Sequence, residues 1–205
     1  FRSGFETKHT RSLNANAGIR DERSFEAFAW PDPDAYSTEL LEEIKSDLPQ
    51  GMRLMVMGPG GVLENVIELV GYENLCLMLY DQPELAGRIF DAVGSRLVRY
   101  YELALQHEAV GLISSNDDWG FNSQPFLSPA MMRKYVFPWH RRIVDTVHRA
   151  GRPVFLHSCG NQASLMDEVI AMGYDAKHSF EDNIQPIEQA YEAYAGRIAL
   201  LGGLD

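Results

Sequence analysis

Cysteine is nearly missing from this chain, whose 205 residues hold only Cys76 and Cys159. Two cysteines in such different surroundings make no disulfide framework, and the expected setting is reducing and cytoplasmic. Cys76 lies in Glu73-Asn74-Leu75-Cys76-Leu77-Met78-Leu79, which reads as the buried face of a helix, where a thiol behaves as a small hydrophobe. Cations are also scarce: 18 Lys and Arg face 29 Asp and Glu, for a formal net charge of −11. That balance argues against a nucleic-acid partner, because phosphate binding needs a basic surface. No apolar run reaches the roughly 18 residues a membrane span requires. A signal-peptide pattern is missing at the start. So are the G-x-G-x-x-G spacing and the P-loop lysine of nucleotide sites, although Gly58-Pro59-Gly60-Gly61 forms a tight turn.

What remains is ordinary globular material, 45% hydrophobic and 23% charged, enough for one well-buried core. The chain begins at Phe1 without methionine and ends just after a strand-like run, so it is expected to be a segment of a longer protein. Residues 1–33 are polar and aperiodic and read as an irregular leader, and residues 34–205 as part of one domain. Asp34 is expected to cap a helix running to about Ser46. Strands are predicted over Met52 to Met57, Val110 to Asn116, Val154 to Cys159, Tyr174 to Phe180 and Ile198 to Leu201. Helices are predicted over 62–70, 73–80, Pro83 to about His107, from Ser128-Pro129 to Gly151 with a kink at Pro138, Ala163 to Ala171, and 186–195. Strands alternating with helices give an α/β architecture with a parallel sheet, read here as five strands of a (β/α)8 barrel rather than a doubly wound sheet.

Polar residues gather where the strands end: Asn116-Asp117-Asp118, His157, Cys159, His178 and Asp205. In a (β/α)8 barrel this shared mouth carries the active site. His157 and Cys159 stand two residues apart at the end of an apolar strand, so both side chains point the same way. An imidazole and a thiol side by side are two ready ligands for a soft divalent metal such as zinc. A buried histidine beside an inert cysteine is the plainer reading of an isolated H-x-C pair. The strand-end position, followed by Gly160 and Asn161, favours the metal. Catalytic zinc takes three protein ligands; the third would come from Asp117, Asp118, His178, Glu181 or residues outside the chain. Adjacent carboxylates on a strand face opposite sides, so at most one of Asp117 and Asp118 should line the site, and alternation alone does not choose between them. His178 shares its predicted face with Tyr174, Ala176 and Phe180. Asp117, Asp118 and His178 are the candidate catalytic residues. Glu64 is a further candidate for the mouth, whereas His140, His148 and Arg141-Arg142 read as the solvated face of a helix.

With these residues in place, the chain resembles the uroporphyrinogen decarboxylase superfamily from about Trp30 to Asp205. The resemblance rests on Ser115-Asn116-Asp117-Asp118-Trp119-Gly120, Leu127-Ser128-Pro129, Phe137-Pro138-Trp139, His157-Ser158-Cys159-Gly160-Asn161 and Leu201-Gly202-Gly203-Leu204-Asp205, in order. It implies a (β/α)8 barrel with its site at the C-terminal mouth. Decarboxylases of the group look glycine-rich where this chain has His157-Ser158-Cys159, and place a substrate tyrosine where it reads Gly61-Val62-Leu63-Glu64-Asn65. Their catalytic aspartate would fall before Phe1. The zinc-dependent, cobalamin-linked methyltransferase arm carries H-x-C as two zinc ligands, with a third, a cysteine, beyond the point where this chain stops. On that resemblance the expected activity moves a methyl group from a methylcorrinoid on a partner protein to a small thiol, with zinc on His157 and Cys159. The alternatives are a cofactor-free decarboxylase of an acidic tetrapyrrole and a barrel that binds a ligand without turnover.

Overall fold

Five short apolar runs, each stopped by glycine or a polar cluster, pair side by side in the computed structural model, which describes residues 13, 14 and 17–203. The strands are β1 (Leu54–Met57), β2 (Val110–Asn116), β3 (Val154–His157), β4 (Ala176–His178) and β5 (Ala199–Leu200). All neighbouring pairs are parallel, and the spatial order β1-β2-β3-β4-β5 is the sequence order. A doubly wound sheet reverses its strand order at a switch point; this one never does. The fold is therefore a partial (β/α)8 barrel.

Helices fill the connections. Ahead of β1 come α1 (Glu22–Ala27), a 3-10 turn over Pro33–Ala35 and α2 (Glu39–Asp47). Between β1 and β2 run α3 (Val62–Val70), α4 (Tyr72–Asp81) and the long α5 (Pro83–Leu105). The stretch read as irregular thus carries α1, whose Asp21 caps the Ser24 N–H. Asp34 does not cap α2; its carboxylate is taken by the Arg99 guanidinium on α5, and Thr38 stands at the N-cap. Residues 1–12, 15 and 16 of the leader, and Asp205, lie outside the described residues.

Ser128 caps α6 (Pro129–Met131) through Met131 N–H, as its Ser-Pro signature predicts. One π turn, Met132–Val136, then leads into α7 (Phe137–Arg149), so the strain expected at Pro138 is absorbed by widening the preceding turn. The last two helices are α8 (Met166–Ala171) and α9 (Ile187–Tyr194).

Strand register separates two faces. Ile113 and Val154 pair in one row and Ser115, Leu156, Lys177 and Leu200 in the next; Ile113, Val154 and Leu156 are fully buried beneath the helices. On the other face Asn116, His157 and His178 stand in one row. Among the described residues, no helix is long and apolar enough to cross a membrane.

Candidate metal centre

The alternation of β2 continues past its end and separates the two aspartates. Asp117 follows Ser115 onto the helix side and is fully buried, while Asp118 follows Asn116 into the mouth. Asp117 accepts from Leu63 N–H at 3.0 Å and Glu64 N–H at 2.9 Å, so it caps α3 from a distant segment. Its Oδ2 also lies 2.8 Å from His140 Nε2, and His140 Nδ1 lies 2.6 Å from the Tyr174 hydroxyl, which reaches Ser115 Oγ at 3.1 Å. This approach requires Gly61, because a Cβ there would stand 2.1 Å from Asp117 Cγ.

Two expectations change here. His140 is fully buried rather than solvated; it stands four residues after Val136 and three before Ile143, on the apolar stripe of the helix. Tyr174 does not share a face with His178, because β4 begins only at Ala176 and leaves Tyr174 free to turn towards α7. His148 does lie on an outer surface, paired with Asp175 at 2.9 Å.

Asp118 stands with the predicted pair. One ligand atom each from Asp118, His157 and Cys159 lies within 4.8 Å of the others. His157 Nε2 is 3.9 Å from Asp118 Oδ1 and 3.8 Å from Cys159 Sγ. A tetrahedral ion with bonds of about 2.0–2.3 Å spaces its ligands about 3.3–3.8 Å apart, so the three groups fit zinc with little adjustment. Asp118 Oδ1 also accepts from Cys159 N–H at 2.7 Å, which ties the ends of β2 and β3 together. On the same row as His157, Asn116 Oδ1 is buried without a hydrogen-bond partner.

His178 stacks on His157 with centroids 4.9 Å apart, and the two Nδ1 atoms are 2.7 Å apart. One proton serves both nitrogens, so when His157 donates through Nδ1 its Nε2 lone pair faces Asp118 and Cys159. Burial lowers the His178 pKa, and the neighbouring His157 and Lys177 lower it further. The acidic residues act on the thiol: burial raises the Cys159 pKa, Asp118 and Glu181 add to this, and a hydrogen bond from Ser179 opposes it. A thiol kept protonated by burial, with carboxylates nearby, is one that a divalent cation would ionise. Of the other possible third ligands, Asp117 and His178 are engaged as described, and Glu181 accepts from Gly160 N–H at 3.5 Å.

Glu64 opens the same mouth from the first turn of α3. Its Oε2 accepts from Gly61 N–H at 3.0 Å. Burial, with Asp117 and Asp118 close by, pushes its pKa up to about 7.

A family model described as "Uroporphyrinogen decarboxylase (URO-D)" matches residues 11–205. A "Uroporphyrinogen decarboxylase" of Xanthomonas axonopodis pv. citri is 30% identical over 143 residues, covering 65% of this chain and 37% of that protein. The Myxococcus xanthus protein of the same name is 25% identical over 128 residues, 62% of this chain and 34% of its own length. The chain thus spans little more than a third of these curated relatives. A solved "methyltransferase from Methanosarcina mazei" superposes with a TM-score of 0.66 at 15% identity, covering 80% of this chain and 47% of that one. At that identity the likeness is one of fold.

Proposed function

The chain belongs to the uroporphyrinogen decarboxylase family, and from that membership we propose that it is the metal-binding part of a methyltransferase that moves a methyl group from a methylcorrinoid to a small thiol. The observation that carries the proposal is the convergence of His157 Nε2, Cys159 Sγ and Asp118 Oδ1 within 4.8 Å at the strand ends. His157, Cys159 and Asp118 would hold the ion, with a further ligand of the whole protein able to replace or join the carboxylate. Zinc bound there would act as a Lewis acid that lowers the pKa of a substrate thiol.

The chain's own residues supply the rest. His178 fixes the ring and tautomer of His157 through the shared Nδ1 proton. Asp117, buried behind the site, anchors the α3 N-terminus and the end of β2, and so aims Asp118 into the mouth. Glu64 keeps a proton near neutral pH at the edge of the site and lies close to Asp118. The thiolate would attack the methyl carbon of a corrinoid presented by a partner protein, forming the S–C bond as the cobalt–carbon bond breaks.

The names of the curated relatives favour a second reading, decarboxylation of an acidic tetrapyrrole. Such a substrate calls for cations at the mouth, whereas Glu64, Asp118 and Glu181 gather there and the ammonium of Lys177 is buried behind β4. Metal analysis of the purified protein decides between the readings. Stoichiometric zinc that is lost in both His157→Ala and Cys159→Ala is the expected result. A metal-free protein that decarboxylates uroporphyrinogen would overturn the proposal.

A further inference from the structure

Behind the three donors, on the helix-covered face of the sheet, sits a cation that the proposed reaction leaves unused. Lys177 is 2% exposed and shares a row with Leu156 and Leu200, opposite in direction to its neighbour His178. Leucines occupy the equivalent places on β3 and β5, so packing alone does not call for an ammonium there, and burying one is costly unless it is paired. Its Nζ donates to the carbonyl of Ser158 at 2.9 Å and to that of Ser179 at 2.8 Å, and stands 4.9 Å from the Phe180 ring centroid.

Both carbonyls adjoin the candidate metal centre. Ser158 immediately precedes Cys159, and the Ser179 hydroxyl lies 3.6 Å from Cys159 Sγ. The rest of the Cys159 backbone is already held: its N–H by Asp118 Oδ1 at 2.7 Å, its carbonyl by Gln162 Nε2 at 2.7 Å. Lys177 closes the remaining side. Backbone bonds from Ser158 N–H to the His178 carbonyl at 2.7 Å and from Ser179 N–H to the Ser158 carbonyl at 3.4 Å join the ends of β3 and β4, and Lys177 adds a side-chain bridge between the Ser158 and Ser179 carbonyls.

We infer that Lys177 is a positioning residue for the metal centre, clamping the Ser158 and Ser179 carbonyls so that Cys159 Sγ is held beside His157 Nε2. The inference rests on the reading of that centre given above. Groups behind a metal site that orient its ligands typically change metal affinity about 10- to 100-fold when removed. Lys177→Met keeps the apolar stem and deletes the charge and its donors.

The test is a titration of the metal-free protein with Co2+, followed by the thiolate-to-cobalt absorption band, with circular dichroism and a melting curve for each variant. The wild type is expected to bind one ion with a thiolate band. Lys177→Met should bind about 10-fold more weakly or worse, with the band reduced, and Lys177→Arg should recover part of it. A wild-type protein that binds no Co2+ overturns the metal reading and this inference with it. A wild type that binds, beside a Lys177→Met protein of equal affinity and identical spectrum, overturns the Lys177 role alone. If Lys177→Met does not fold, Lys177→Gln is compared by the same two readouts, and unchanged values there overturn the role equally.

Discussion

Asp117 takes hydrogen bonds from Leu63 N–H, Glu64 N–H and the His140 ring, so truncating it strands three buried polar groups at once. Asp117→Ala is expected to lower the unfolding free energy by about 3–5 kcal/mol, measured as a shift in urea midpoint at constant slope. Asp118, partly exposed in the mouth, should cost about 1 kcal/mol or less when changed to Ala, yet reduce metal binding. Glu64 gives a pH signature. Its folded pKa of about 7 is raised above the ordinary 4.5, so the folded state binds its proton more tightly. The stability this contributes is complete below 4.5 and lost as the pH rises through 7. Glu64→Gln does not titrate and can still accept from Gly61 N–H. It should therefore match the wild type near pH 4 and exceed it by about 1–2 kcal/mol at pH 8, a figure discounted for partial exposure, as read from melting curves at the two pH values. At this scale the sequence was legible where spacing decides: His157 and Cys159 share a face because they stand two apart. It left the aspartates undecided, since only the position of α7 shows which one meets a buried histidine. Lys177 carried a signal of its own, a lone cation inside a buried strand, but its partners are carbonyls that no residue pattern reveals.

Among the elements, α5 and α7 make a helix contact that can be tested. A Cβ at Gly94 on α5 would stand 2.1 Å from Trp139 Cδ2, and Trp139 is itself buried on α7. Gly to Ala inside a helix ordinarily gains about 0.5–1 kcal/mol. Here the overlap should win, and Gly94→Ala is expected to destabilise by about 1–3 kcal/mol, seen as a lower melting temperature. Strands of a helix-covered parallel sheet read as apolar runs, which is why all five were visible and β2 was predicted to its exact ends. The other four, β1, β3, β4 and β5, are each shorter than the predicted run. The π turn before Pro138 was not legible: proline announces strain without saying whether the helix bends or widens.

Across the whole molecule, the sequential strand order leaves β1 and β5 at the ends of the described sheet. On β1, Met55 and Met57 are each 52% exposed. They pair with Leu112 and Ser114 on the sheet face that carries Asn116 and His157, which is the interior face of a (β/α)8 barrel. The bond from Cys159 N–H to Asp118 Oδ1 spans 41 residues of chain, whereas His157 and Cys159 need only two. An unfolded chain thus already offers an imidazole–thiol clip, and the carboxylate joins only when that long loop closes, at an entropic cost of about 3 kcal/mol. Closing the loop is the same event as seating β2 against β3. Ion capture and strand assembly are therefore one equilibrium written twice, and supplying the ion should make this part of the barrel harder to pull apart.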